Sequence, residues 1–170
     1  MKKIVLLAFL ALSLSSFVGK PTRYFFVNSD KTIKIEFSLN LKKTPSYKVF
    51  FKDKLVVNTS DLGIVREDAN FYTDLKIVAV SKSKPIQSNY SMLQGKRKKI
   101  AYAANQYTVS LQNNKGERMN VIFQLSHDGI ALRYHFPETS TAIKKITEEK
   151  TTYNFETTTK AWLQPRSRAK

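Results

Sequence analysis

"SHDGIALRYHF", residues 126–136, decides how this chain is read. Asp128-Gly129 separates two runs in which apolar and polar residues alternate. Alternation with period two marks a strand with one buried face. Asp-Gly between two such runs predicts a tight hairpin, because a type I′ turn needs positive φ at both central residues. A two-residue loop then sets Leu125 opposite Leu132, Phe123 opposite Tyr134 and Val121 opposite Phe136, all on one core-facing side. The other side, with Ile122, Gln124, Ala131, Arg133 and His135, is mixed. The hairpin is thereby read as scaffold rather than site.

Moving outward, "TIKIEFSL" (32–39) alternates Ile33, Ile35, Phe37 and Leu39 against Lys34, Glu36 and Ser38. "SYKVFFKDKLVV" (46–57) holds two more strands about a turn at Lys52-Asp53-Lys54. In "SDLGIVRED" (60–68), Gly63 within a strand pattern implies a bulge or a close backbone approach. "FYTDLKIVAVSKSKP" (71–85) reads as a further strand, ended by a loop that carries Pro85. Tyr102 to Leu111, Met119 to Ser126 and Ile130 to Phe136 form a meander, with "NNKGE" (113–117) as a turn where Asn114 or Gly116 takes positive φ. Lys144 to Phe155 reads as mostly extended, since the β-branched and aromatic "TTYNF" outweighs the helical look of "AIKKITEE". Many short strands at regular spacing predict an all-β fold, an antiparallel β-sandwich.

Composition narrows the chemistry. A length of 170 residues, 42% of them hydrophobic, suits one domain with a real core. The absence of Cys excludes disulfides, thiolate metal sites and Cys nucleophiles. His127 and His135 are too few for a multi-His metal site, and no Gly-rich phosphate loop occurs. At the N-terminus, Lys2-Lys3, the apolar run Ile4 to Leu12 and the small residues Ser13 to Gly19 form the pattern of a secretory signal peptide over residues 1–19. The run is too short and too rich in serine for a membrane-spanning helix. Residues 20–170 are then expected to form a soluble, exported, periplasmic domain. Formal net charge is +16, two units of which belong to Lys2 and Lys3. Such an excess points to a polyanion as partner, although lysines on outward strand faces also guard sheet edges. Only "GKRKK" (95–99) is a dense basic run.

The stretches "SDKTIKIEFSLN", "YKVFFKDKLVV", "SDLGI", "GKRKKIAYAANQYTVSLQN", "VIFQLSHDGIALRYHFPE", "IKKITEEKTTYNF" and "AWLQP" follow one another in an order that resembles the N-terminal domain of family 97 glycoside hydrolases from Bacteroidota. The resemblance runs from about Tyr24 to Lys170. It implies a β-super-sandwich followed by a catalytic (β/α)8 barrel and a small C-terminal β domain, in enzymes that cleave α-glucosides or α-galactosides. It also implies a calcium ion at the active site, held by Glu residues, one of them contributed by the sandwich a little beyond "AWLQP". That Glu would fall past Lys170, and the barrel would too. The resemblance therefore assigns no catalytic and no metal residue to this sequence, and no cofactor to this chain.

The residues themselves agree. Glycoside hydrolysis uses two carboxylates roughly 5–10 Å apart. Glu148 and Glu149 are adjacent, and neighbours in a strand point to opposite faces. A hydroxyl–His–carboxylate triad on His127 or His135 has no support, since both are expected at the surface. Arg133 is expected to pair with Glu148 or Glu149. Trp162 and Gln164 are the candidates for contact with carbohydrate or with a neighbouring barrel. An indole ring stacks on sugar C–H groups, but it also packs well between domains. Three functions follow: a non-catalytic, carbohydrate-associated sandwich supporting an α-glycosidase barrel; an exported stand-alone binder of an anionic polysaccharide or other polyanion; and a nucleic-acid binder using "GKRKK" with Tyr102 and Tyr107 as stacking groups. Export argues against the third.

Overall fold

A computed structural model of the chain describes residues 22–162. The signal-peptide segment 1–19, Leu163, Gln164 and Lys170 lie outside the described residues. The order of elements is β1 (Arg23–Val27), β2 (Ile33–Leu39), β3 (Pro45–Phe51), β4 (Lys54–Asp61), β5 (Ile64–Arg66), β6 (Asn70–Phe71), β7 (Lys76–Val80), β8 (Lys84–Ser91), β9 (Lys99–Gln112), β10 (Arg118–Ser126), β11 (Ile130–His135) and β12 (Ile146–Glu149). All pairings are antiparallel. One sheet runs β1-β2-β3-β4. A second runs β11-β10-β9-β7, with β8 also paired to β9, and a small third runs β12-β5-β6.

The first two sheets face each other as a sandwich. Phe26 of β1 stacks on Tyr107 of β9 with ring centroids 4.7 Å apart, and Phe37 of β2 meets Phe123 of β10 edge-on at 6.0 Å. Period-two patterning puts Ile35 and Phe37 from one side, and Val109, Leu111, Val121, Phe123 and Leu125 from the other, into the same solvent-free layer. Asn28 ties the sheets at one end: its amide donates to the Ser126 carbonyl at 3.0 Å, and its oxygen accepts the Ile33 N–H at 2.9 Å.

The opening hairpin exists, but with a different turn. Leu125 pairs with Ile130, Phe123 with Leu132 and Val121 with Tyr134. The loop is His127-Asp128, closed by the Ser126 N–H on the Gly129 carbonyl at 3.0 Å. None of its residues has positive φ, so type I′ is excluded. Ser126 is the reason: its hydroxyl donates toward Asp128 Oδ1 (2.8 Å) and the Gly129 carbonyl (3.0 Å). Ser at the first and Gly at the fourth position favour an ordinary type I geometry. The register moves by two residues, which keeps every side chain on its expected face; a shift of one would have inverted them all. The turn with two positive φ values lies instead at Lys52 (48°) and Asp53 (61°), between β3 and β4.

Other expectations sort similarly. Gly116 does take positive φ, at 87°. Gly63 is a close approach: a Cβ there would lie 2.8 Å from the Tyr72 ring and 3.0 Å from the Phe71 carbonyl oxygen. Pro85 is not in a loop. It sits within β8, which has a neighbour on one side only among the described residues, and an edge strand tolerates a missing N–H. β9 starts at Lys99, ahead of the expected Tyr102, and β1 was not expected at all. Lys144 to Phe155 is extended, with a regular strand only over β12.

Candidate functional site

The chain beyond β12 positions the expected contact residue. After pairing with β5, residues 150–154 run on beside β4 as a strap. The Lys150 N–H donates to the Gly63 carbonyl (2.9 Å), Thr152 N–H to Asp61 (3.0 Å), and Asn58 N–H to Asn154 (2.7 Å). Two core tyrosines lock it. The Tyr47 hydroxyl donates to the Thr152 carbonyl at 3.1 Å, and the Tyr134 hydroxyl lies 2.6 Å from Thr151 Oγ1 while accepting the Gly63 N–H at 3.0 Å. Burial, with nearby Tyr153 and Tyr134, pushes the Tyr47 phenol up to about 12. It stays a neutral donor throughout the ordinary pH range. The strap thus hides the outer edge of β4 and hands the chain to a segment where Phe155 is half exposed and Trp162 is 98% exposed. Beside it, Phe51, Val56, Ile130, Leu132 and Tyr153 line an apolar groove of about 330 Å³.

A second constellation was not anticipated. Arg66 ends β5 with its side chain 1% exposed. Its guanidinium donates to both oxygens of Asp68 (2.8 and 2.9 Å) and to Glu138 Oε1 at 2.5 Å. It also lies 4.8 Å from the Phe136 ring centroid, and Lys144 closes the cluster on Asp68 Oδ2 at 2.6 Å. Burial pulls the Arg66 pKa down, but the bonds from Glu138 and Asp68 outweigh it and the net shift is upward. The Arg66 bonds hold both carboxyls below their usual range, with Lys144 adding to the effect on Asp68. A glycosidase needs one carboxyl kept protonated near neutral pH. Two carboxylates held ionised by one guanidinium form a clamp that fastens the segment before β12 to β5.

The remaining candidates stay apart. Glu148 pairs with Lys150, so the expected partnership with Arg133 is replaced by a local one, and Arg133 makes no ion pair among the described residues. His127 and His135 are exposed. Tyr107 is buried against Phe26 and donates its hydroxyl to the Val27 carbonyl at 2.9 Å, which removes it as a stacking group for a base. No three His, Asp or Glu side chains gather as a metal site among the described residues.

Residues 27–170 match the model of the family described as Glycosyl-hydrolase 97 N-terminal. The chain belongs to this family. Among solved structures it is similar to a beta-arabinopyranosidase, at 25% identity and TM-score 0.72 over 78% of this chain and 21% of that one. It is similar as well to a Glycoside Hydrolase Family 97 enzyme from Pseudoalteromonas sp. strain K8, at 28% identity and TM-score 0.68 over 79% of this chain and 20% of that one. That enzyme is also represented in complex with panose and with acarbose. The chain spans about a fifth of the length of these enzymes.

Arg66 was legible in retrospect. It continues the inward phase of Leu62 and Ile64, and a charge at an inward position demands partners.

Proposed function

We propose that this family 97 N-terminal sandwich is an exported, periplasmic and non-catalytic domain that borders and supports an α-glycosidase barrel, and that its own contact with carbohydrate is weak. The observation that carries this reading is the strap. It spends two core tyrosine hydroxyls and a run of backbone bonds on fixing the point from which the chain leaves the sandwich, and it leaves Trp162 in solvent there. Trp162, with Gln164 two residues on, is the proposed surface toward barrel or sugar. Calcium belongs to the catalytic part in this reading; among the described residues no three His, Asp or Glu side chains gather around a common point.

The test is activity and binding of the purified chain. Aryl α-glucosides and α-galactosides should not turn over, with or without calcium; clean calcium-dependent turnover would overturn the reading. Panose followed by calorimetry should bind weakly and without salt dependence. The alternative, a stand-alone polyanion binder, requires instead an affinity for acidic polysaccharide that falls steeply with salt and no response to panose.

A further inference from the structure

Beyond Ala104, β9 has no described neighbour except β8, because β10 begins pairing at Ala104 with Ser126. Residues 87–103 therefore form a two-stranded arm that leaves the sandwich, with Ile86 at its base. Five residues of strand project about 17 Å. Its outer side, opposite the core, carries Ile86, Tyr90, Ile100 and Tyr102 as a continuous ribbon, with Tyr90 directly paired to Ile100. At the tip Met92 is 45% exposed and Leu93 fully exposed. Lys96, Arg97, Lys98 and Lys99 follow at once, all exposed. Between Asp74 and Glu117 the sequence holds no acidic residue, so the arm has no carboxylate of its own; Asp128 in the β10–β11 loop is within coulombic reach of Arg97.

We propose that this arm is a peripheral membrane anchor that lays its tip on an anionic phospholipid surface. A solvated charged loop would not need Met92 and Leu93 in water beside it, and an isolated two-stranded ribbon is marginal without a surface to pack on. An apolar tip, a collar of four cations and a tyrosine on the ribbon match the layers of a bilayer interface: acyl boundary, anionic headgroup and the amphipathic zone between them. The geometry is that of contact, with no crossing. Each cation at such a surface contributes roughly a fivefold gain in affinity. This inference is independent of the role proposed for the strap and Trp162.

The experiment is co-sedimentation of the full chain with phosphatidylcholine vesicles, with and without phosphatidylglycerol. Three proteins are compared: wild type, Lys96→Gln/Arg97→Gln/Lys98→Gln/Lys99→Gln, and Met92→Ser/Leu93→Ser. All substitutions are at exposed positions, and circular dichroism checks the fold. Any binding by the apolar N-terminal segment is common to all three. The expected result is that phosphatidylglycerol raises binding of the wild type, that the charge variant loses on the order of a hundredfold or more of this gain, and that the Met92/Leu93 variant loses about tenfold of it. Equal binding by all three proteins overturns the proposal. So does a loss confined to the charge variant together with full competition by soluble dextran sulfate, which would make the arm a polyanion site.

Discussion

At the scale of single residues, the fold depends on one buried cation and one glycine. Arg66→Met removes the centre of the clamp and leaves Asp68 and Glu138 facing each other; because about a third of each carboxylate side chain is in water, the expected loss is roughly 1–2 kcal/mol at neutral pH. The sign of its pH dependence follows from the direction of the shifts. Asp68 and Glu138 are held below their usual range, so their contribution is complete above the ordinary carboxylate pKa and is lost as pH falls through the depressed values. Urea midpoints of wild type and variant should therefore converge toward acid. A gap that stays constant with pH would mean that Arg66 acts through packing on Phe136 alone. The glycines make a matched pair. Gly63→Ala should cost roughly 1–3 kcal/mol, because a Cβ there runs into the Tyr72 ring and the Phe71 carbonyl. Gly129→Val should change stability by less than about 0.5 kcal/mol, because Gly129 has no positive φ and no atom within 4 Å of an added Cβ. Thermal unfolding of the two variants checks the contrast, and the reverse order would contradict both assignments. Gly63 was legible because it interrupts a strand pattern. Gly129 was misread because the Ser126 hydroxyl, which selects the turn, counts for nothing in a rule based on the Asp-Gly pair alone.

At the scale of elements, period two located most of the strands, and side-chain hydrogen bonds decided their connections. The β3–β4 turn shows both. Its place was readable in Lys52-Asp53-Lys54, but its left-handed geometry was not, since neither Lys nor Asp advertises it as Asn-Gly would. Two non-glycine residues at φ 48° and 61° are strained, and the ion pair from Lys34 of β2 to Asp53 in the turn is exposed. Lys52→Asn/Asp53→Gly should therefore stabilise the domain by about 1 kcal/mol. A lower unfolding midpoint would show that the exposed ion pair matters more than the backbone. The strap was harder to foresee. "TTYNF" announced extension, but its partners are β4 and β5, about ninety positions upstream in Asp61 and Thr152, and a pairing that distant leaves no local trace.

On the scale of the whole molecule, apolar side chains remain in water on the flank that carries the groove and on the segment that follows the strap. Phe51, Val56, Tyr153, Phe155 and Trp162 are all exposed, and surfaces of this kind mark a partner. A formal charge of +16 keeps copies apart at low ionic strength and does so less as salt screens it. Light scattering should rise with salt for the wild type and less for Trp162→Ser. A monomer at high salt whose single tryptophan emits like a buried indole would mean that the flank is already covered. The fold class and the family were legible because strand patterning and the order of several short stretches survive in one sequence. The arm depends on which strands extend past their neighbours, which composition does not record; the inward phase announced Arg66, but its partner Glu138 lies 72 positions away. The strap also bears on how the domain is made. Its partners β4 and β5 emerge long before it does, so the edge of β4 waits unpaired while about ninety further residues are added. An unpaired edge in a waiting chain invites the wrong neighbour, and closing so long a loop is slow. Completion of the sandwich is thus tied to the arrival of residues 150–154, and the interval before it is when the domain is most open to mispairing.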